Sequence, residues 1–355
     1  MSSKFLSAVV VLAASSILLA GCAAAPPKSA GGTAKSGFCG AMVTDSGGLQ
    51  DRSFNQSSWA GMQKAAKDNN IKVHVLVSGS DADLAPNVEA AANTNCGFVL
   101  TVGYSLTAAT VKQAKAHPKT DFAIVDDVAS APNIKPIVFD TAQAAYLAGY
   151  LAAGVSKTGK VATFGGGNQP PVTLFMDGFV DGVAKYNSVH GTKVVALGWN
   201  KATQDGAFTG DFEDLSKGKA LAATLIDKGA DVILPVAGQV GQGAAAAAKD
   251  AKNVSLIWVD NDGYNTLPAE FRPLLLTSVQ KNTGEAVAET VKSALDKTFT
   301  NTQFIGTLKN GGVSIAPFHD KASLVSAKLS AEVDALRKQI ESGALVVTSP
   351  STPKS

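Results

Sequence analysis

The sequence predicts an α/β protein of two similar lobes, each built around a parallel β-sheet. From Phe38 onward, short apolar runs alternate with amphipathic stretches of helical length, which is the pattern of successive βα units. The pattern runs once from about residue 38 to 140 and starts again near residue 142. Later segments are predicted to cross back between the halves. The result would be a hinged pair of lobes with a cleft between them, a shape that commonly closes around a ligand.

The first half is predicted to contain strands joined mostly by helices. Each predicted strand is a short apolar run that ends at small or polar residues, as at Gly103 and Asp126. The predicted strands span 38–43, 72–77, 97–102, 121–125 and 136–139, and the predicted helices span 57–69, 84–93 and a stretch that ends near 116.

The second half repeats this scheme and is followed by the crossing segments. Its predicted helices span 142–155, 172–186, 215–228 and 242–249, and its predicted strands span 160–164, 193–197, 232–236 and 255–259. The remainder is predicted as a strand at 274–279, a helix at 283–297, a hairpin of 304–309 with 313–315, and a final helix at 324–342. We assign 38–140 plus about 261–300 to the N-terminal lobe, 141–260 plus about 301–345 to the C-terminal lobe, and 346–355 to a polar tail.

The first 22 residues are predicted to be an export signal. Lys4 precedes an apolar stretch that is short for a membrane-spanning helix, and Leu19-Ala20-Gly21-Cys22 follows it. Small residues directly before a cysteine resemble the lipobox of bacterial lipoproteins, in which that cysteine is lipidated. The alternative is a plain secretory peptide cut elsewhere. Residues 23–37 are rich in Ala, Gly and Pro and are predicted to be a flexible tether.

Two further cysteines remain if Cys22 carries lipid. Cys39 and Cys96 each lie at the start of an apolar, strand-like run, and an exported protein meets an oxidising compartment. We therefore predict a Cys39–Cys96 disulfide. The alternative is a pair of buried free thiols.

Composition and motifs argue against several classes of function. A hydrophobic content of 45% and a charged content of 17% indicate a folded globular protein, and a net charge of +2 gives no case for nucleic acid as a partner. The four histidines are scattered, no G-x-S-x-G elbow is present, and the glycines at 165–167 lack a phosphate-loop continuation. We predict no metal, no cofactor and no enzymatic activity. Paired carboxylates such as Asp126 and Asp260 leave a glycosidase as the alternative.

The stretch from Met42 to Asn55, MVTDSGGLQDRSFN, is the most informative part of the chain. A strand that runs into a glycine-bearing loop at a helix start is where open α/β sheets place their ligands. Phe54 offers a flat stacking surface beside the amide of Asn55, which suits a planar polar ligand. Other candidate residues at strand ends are Asp45, Asp126, Phe208, Gly238, Asp260 and Lys281.

This stretch resembles the entry motif of basic-membrane-protein (Bmp, PnrA-like) lipoproteins, the purine-nucleoside receptors of ABC importers. Further matching segments are YLAG at 146–149, FGG at 164–166, GADVI at 229–233, VDND at 259–262 and TSVQK at 277–281. The sequence departs from relatives at Trp258, where they usually carry a small residue, and around Phe208. The resemblance implies a type I periplasmic-binding-protein fold, held at the extracytoplasmic face of the cell membrane by its N-terminal lipid. It implies a monomer that hands its ligand to an ABC permease.

The same resemblance implies roles for individual residues. A purine would lie between Phe54 and Phe208, and base stacking on an aromatic ring is worth roughly 1–3 kcal/mol. Its base edge would contact Asn55 and Asp126, with Asp45 close by. The ribose contacts implied by the family fall on Asp260, Gly238 and Lys281. Other flat heterocycles such as flavins, and a sensory role without transport, remain alternatives.

Overall fold

The computed structural model describes residues 37–354, so the predicted signal peptide, Cys22 and almost all of the tether lie outside the described residues. The strands are β1 (Cys39–Val43), β2 (Lys72–Leu76), β3 (Phe98–Val102), β4 (Asp121–Val125), β5 (Ile134–Phe139), β6 (Lys160–Gly165), β7 (Val195–Leu197), β8 (Trp199–Asn200), β9 (Asp205–Gly206), β10 (Val232–Val236), β11 (Ser255–Asp260), β12 (Leu275–Lys281), β13 (Phe304–Gly306) and β14 (Val313–Ile315). The α-helices are α1 (Phe54–Asn69), α2 (Asp81–Ala92), α3 (Thr107–Ala116), α4 (Thr141–Val155), α5 (Pro170–His190), α6 (Leu215–Asp227), α7 (Gly241–Ala251), α8 (Gly263–Thr266), α9 (Thr283–Leu295) and α10 (Ala327–Glu341). No helix among the described residues is long and apolar enough to cross a membrane.

Twelve of these strands form two six-stranded sheets, one in each lobe, and β8 pairs antiparallel with β9 in a separate two-stranded sheet. The first sheet has the order β13-β5-β4-β3-β1-β2, and all its strand pairs are parallel. The second has the order β14-β12-β11-β10-β6-β7, with only β14 antiparallel to its neighbour. This confirms the predicted pair of parallel-sheet lobes. It also gathers the carboxyl ends of the strands at one edge of each sheet, where such folds bind ligands.

Burial on both faces explains the apolar runs that identify the strands. All five residues of β3 are buried, because helices cover both sides of a parallel sheet. Helix α4 is buried over most of its length and packs closely on α5. A Cβ atom at Gly149 of α4 would lie 2.0 Å from the carbonyl oxygen of Phe179, and one at Gly182 of α5 would lie 2.0 Å from that of Tyr146. The two helices can therefore approach this closely only because glycine stands at both positions.

The sequence prediction placed residues 261–300 in the N-terminal lobe, but only the last part of this segment packs there. Strand β12 lies in the second sheet, although the sequence assignment put it in the first lobe. The crossing comes directly after it, since α9 packs on α1 of the first lobe and a Cβ at Gly61 would meet the carbonyl oxygen of Gly284 at 2.3 Å. The assignment of 301–345 is also wrong at β13, which pairs with β5 of the first sheet.

The predicted hairpin around Asn310-Gly311-Gly312 is also wrong, because its two strands belong to different sheets. Strand β13 pairs in parallel with β5, whereas β14 pairs antiparallel with β12 of the other sheet. The glycine-rich segment does turn the chain, and Gly311 has a φ of 71°. The two strands nevertheless pair with different sheets, because each completes an open sheet edge in its own lobe.

The predicted polar tail is packed onto the second lobe over its described part. The Val347 side chain is buried, and the Ser349 hydroxyl donates to Asp177 Oδ2 at 2.6 Å. Lys201 Nζ donates to the carbonyl oxygen of Thr348 at 2.5 Å. At the other end of the chain, Cys39 and Cys96 form the predicted disulfide, which joins β1 to the segment that precedes β3.

Candidate functional site

The carboxyl ends of the two sheets enclose a cleft with a cavity of about 150 Å³. Six of the eight predicted ligand-binding residues line it. They are Asp45, Phe54, Asp126, Gly238, Asp260 and Lys281. The remaining two predicted residues, Asn55 and Phe208, do not line the cavity.

Asn55 is buried beside the cleft and holds Asp45 in place. Its Nδ2 donates to Asp45 Oδ1 at 2.6 Å, and its Oδ1 accepts from the Asp45 backbone N–H at 3.2 Å. The Gly47 N–H donates to the same carboxylate oxygen at 2.9 Å. Burial raises the pKa of Asp45 to about 6, against the opposing effect of these hydrogen bonds. Asn55 therefore orients a carboxylate, and the structure gives no contact of its amide with the cavity.

Asp51 is a lining residue that the sequence analysis missed. Its Oδ1 accepts from the N–H groups of Ser53 and Gln56, each at 3.1 Å, and its Oδ2 accepts from the N–H of Asn55 at 2.6 Å. These are free amide groups at the start of α1, which a carboxylate both pairs and stabilises through the helix dipole. Burial raises the pKa of Asp51 to about 7. The sequence carries only a weak signal for it, because Ser53, not Asp51, holds the N-cap position directly before the helix.

These two carboxyl groups predict that stability falls as pH rises. Both have a higher pKa in the folded protein than the ordinary value of 3.8, so the folded state holds their protons more tightly. Their stabilising effect is complete below about pH 4 and is lost as pH rises through 6 and 7. We expect the free energy of unfolding to drop by about 2–4 kcal/mol from pH 5 to pH 8, measured by denaturant titration.

Asp51→Asn should flatten this slope, because an amide does not titrate. Asp68→Asn is the matched control, since Asp68 lies on the exposed face of the same helix and pairs with Lys64. It should leave the slope unchanged. Rising stability between pH 5 and pH 8 would contradict the prediction.

The aromatic wall of the second lobe differs from the prediction. Phe208 packs edge-to-face on Trp199, with ring centroids 5.9 Å apart, and lies against Gly165 of β6. Phe212 and Phe175 line the cavity instead. Phe208, the predicted second ring of the clamp, therefore does not line this cavity.

Backbone pairing explains the difference between the two phenylalanines. Residues beside Phe208 extend the sheet, because Gly165 N–H donates to Ala207 O and Thr209 N–H donates to Gly165 O, both at 3.0 Å. This pairing holds Phe208 against β6. Phe212 comes after the pairing ends, and its ring covers Gly166, where a Cβ would approach to 2.3 Å.

Lys281 is the charged centre of the cleft. It extends from β12, contacts the Asp126 carboxylate of the first lobe and lies 3.5 Å from Asp260 Oδ1. These side chains are only 4–8% exposed. Burial alone would lower the pKa of Lys281, but the two carboxylates raise it above its ordinary value. The ammonium group also lies 4.9 Å from the centroid of the Phe54 ring and 5.2 Å from that of Phe175, within cation–π range.

Asp126 and Asp260 occupy equivalent positions in the two lobes. Asp126 directly follows β4 and Asp260 is the last residue of β11, and each of these strands is third in the spatial order of its sheet. The φ values of Asp126 and Asp260 are 67° and 66°. This left-handed conformation is unfavourable for a residue with a side chain and is found where the surrounding structure enforces it, often at functional sites. It aims a carboxylate from each lobe at Lys281.

The cleft as a whole is acidic. Among the described residues that line it, Lys281 is the one lysine or arginine, and it is already paired. The lining carboxylates are Asp45, Asp51, Asp81, Asp126, Asp211, Glu213 and Asp260. Such a surface can pair with hydroxyl groups and with the N–H groups of a heterocycle, and it repels anions.

Comparisons with known proteins agree with a ligand-binding cleft. Residues 38–348 match the family model Bmp, described as ABC transporter substrate-binding protein PnrA-like. The chain is 32% identical over 327 residues to the "ABC transporter nucleoside-binding protein BmpA" of Lactococcus lactis subsp. cremoris (strain MG1363), covering 87% of this chain and 90% of that protein. It is 28% identical over 310 residues to "Basic membrane protein A" of Borreliella burgdorferi, covering 85% of this chain and 86% of that one.

Solved structures share the fold. An ABC transporter solute-binding protein from Aeropyrum pernix K1 superposes with a TM-score of 0.79 at 22% identity, covering 90% of this chain and 94% of its own. One from Conexibacter woesei DSM 14684 gives 0.67 at 23% identity, covering 88% and 98%. The fold is that of the type I periplasmic binding proteins, as predicted. From the family match over nearly all described residues, the chain belongs to the Bmp family of PnrA-like ABC transporter substrate-binding proteins.

Proposed function

We propose that this protein binds purine nucleosides in the cleft between its lobes and delivers them to the permease of an ABC importer. The observation that carries the proposal is the combination of aromatic rings from both lobes with buried carboxylates. Phe54 lines one side and Phe175 with Phe212 the other, and Asp126 and Asp260 lie beside them. Rings provide stacking for a base, and aspartates accept hydrogen bonds from ribose hydroxyls and base N–H groups.

The cellular setting is part of the same proposal. The family is described as ABC transporter substrate-binding proteins, and one relative is named a basic membrane protein. A lipid on Cys22, followed by the 23–37 tether, would hold the folded chain at the extracytoplasmic face of the membrane as a monomer. Metabolic labelling with a palmitate analogue tests the anchor. The label should be lost in Cys22→Ser and kept when Cys39 and Cys96 are both replaced by Ser.

Calorimetry with inosine, adenosine, guanosine and riboflavin tests the ligand class. At 100 times its Kd, a bound nucleoside should stabilise the protein by about 2.7 kcal/mol, which is readily visible in a thermal melt. Free base should not accumulate during incubation. Release of base would identify a hydrolase, and stabilisation by riboflavin alone would move the ligand class to flavins.

Phosphorylated nucleosides are expected to bind at least 100-fold more weakly than the parent nucleosides. A phosphate group in the cleft would face several carboxylates, while Lys281 is already engaged by Asp126 and Asp260. One such repulsion at 4 Å costs about 4 kcal/mol at an effective dielectric constant of 20. Isothermal titration with adenosine and adenosine 5′-monophosphate measures the ratio.

A 5′-O-methyl nucleoside separates size from charge in this comparison. It adds bulk at the same position without a negative charge, so it should bind more tightly than the monophosphate. Equal affinities for nucleoside and monophosphate would contradict an acidic cleft as the selective element.

A further inference from the structure

Two consecutive backbone carbonyl groups of the first lobe accept hydrogen bonds from side chains of the second. Trp258 Nε1 donates to the carbonyl oxygen of Arg52 at 3.2 Å, and Thr266 Oγ1 donates to the same oxygen at 2.9 Å. Asn261 Nδ2 donates to the carbonyl oxygen of Ser53 at 2.8 Å. We call these three contacts the 52–53 latch. They join the lobes through protein groups alone.

The acceptor side of the 52–53 latch is held in a defined conformation. Arg52 has a φ of 62°, the left-handed region that a residue with a side chain adopts only when its surroundings require it. The carboxylate of Asp51 supplies that constraint, because it accepts from the N–H groups of Ser53, Asn55 and Gln56 around Arg52. The two carbonyl groups therefore present fixed acceptors to the second lobe.

The donor side is equally well fixed. The Trp258 side chain is fully buried, and a Cβ atom at Gly241 or Gly263 would lie within 3 Å of it. Thr266 is the last residue of α8, whose first turn is capped by Asp262 through the N–H of Tyr264 at 3.1 Å. The Trp258 and Thr266 donors are thus positioned by the packing of the second lobe, with little side-chain freedom left to lose on contact.

The latch lies one residue away from the wall of the cleft on both sides. Arg52 and Ser53 stand between Asp51 and Phe54, which line the cavity. Trp258 and Asn261 flank Val259 and Asp260, which line it from the other lobe. Any separation of the lobes that breaks the latch must therefore move lining residues on both walls.

We propose that the 52–53 latch sets the equilibrium between open and closed lobes and so tunes ligand affinity. A ligand that binds only the closed form has an apparent affinity proportional to the closed fraction, which the latch raises. Its role in affinity rests on the proposed nucleoside-binding function, whereas its role in closure does not. Trp258, Asn261 and Thr266 are positioning residues in this scheme.

The test compares latch variants with matched variants inside a single lobe. Trp258→Phe and Thr266→Val each remove one interlobe donor. Trp199→Phe removes an indole donor to Asp177 within the second lobe, and Thr290→Val removes a hydroxyl donor within α9. Small-angle scattering without ligand measures the radius of gyration, and calorimetry measures inosine affinity. Circular dichroism verifies folding, and Thr266→Val alone serves if the Trp258 variant does not fold.

The double variant Trp258→Phe with Thr266→Val should have a larger radius of gyration than wild type without ligand. The radius should return to the wild-type value at saturating inosine. Inosine affinity should fall by up to about fivefold per lost hydrogen bond, thus by up to roughly 25-fold in all. The two control variants should match wild type in both measurements.

If the double variant has the wild-type radius of gyration without ligand, the latch does not hold the lobes closed. If the double variant is expanded but binds inosine with wild-type affinity, the latch is not coupled to the ligand site. If wild type binds no nucleoside, the proposed function fails, while the comparison of radii without ligand still decides whether the latch holds the lobes together.

Discussion

Lys281→Met is expected to lower the free energy of unfolding by about 3–5 kcal/mol and to abolish nucleoside binding. The substitution leaves the Asp126 and Asp260 carboxylates buried without their cation, and each is at most 8% exposed. Burial already raises the pKa of Asp126, and the approach of Lys281 opposes that rise. Denaturant unfolding and calorimetry with inosine measure the two effects.

A matched lysine separates this effect from a general loss of charge. Lys64 forms an ion pair with Asp68 on the surface of α1, with both side chains about half exposed. Lys64→Met should change stability by less than about 0.5 kcal/mol. Adding Asp126→Asn to Lys281→Met should restore part of the lost stability, because one buried charge is removed. If Lys281→Met were as stable as wild type, the buried ion pairs of Lys281 with Asp126 and Asp260 would make no net contribution to the free energy of unfolding.

Phe212→Ala is expected to weaken nucleoside binding by roughly 5-fold to 150-fold, the equivalent of about 1–3 kcal/mol of lost base stacking. Phe212 lines the cavity from the second lobe, and Phe54 lines it from the first lobe. Calorimetry with inosine on the two single variants measures the loss from each wall. Phe54→Ala should show a loss of similar size.

Phe208→Ala is the internal control for this prediction. Phe208 packs on Trp199 and Gly165 outside the cavity, so its loss should lower stability more than affinity. A large affinity loss in Phe208→Ala, together with normal binding by Phe212→Ala, would reverse the assignment made from the structure.

Most of the fold could be predicted from the sequence because burial on both sheet faces leaves uninterrupted apolar runs. Strands such as β3 and β11 have all their residues buried, and their boundaries agree closely with the prediction. The crossings could not be predicted in this way. An apolar run such as β12 shows that it is buried, but the run does not show which of two similar sheets buries it. The same limit produced the incorrect hairpin.

The candidate site was predictable where it depends on strand ends. Asp126, Asp260 and Lys281 follow or end apolar runs, and the parallel topology brings such positions together. Side chains in irregular loops were less predictable, as Phe208 and Phe212 show. The two phenylalanines lie four residues apart in an irregular segment, so no strand or helix pattern shows which of them lines the cavity. Only the backbone pairing with β6 decides this, because it holds Phe208 away from the cavity and leaves Phe212 to line it. The role of Asn55 was missed because its partner, Asp45, is ten residues away along the chain.

The crossings of the chain make the two lobes depend on one another during folding. A fragment covering 38–140 would lack β13 and α9, so its sheet would end at β5 with unpaired backbone groups and its α1 helix would lose a packing partner. Exposed edges of this kind promote association between chains. Each lobe is therefore completed only after residues beyond 300 have emerged from the ribosome. An early, incomplete sheet is therefore open to such association until its last strand arrives.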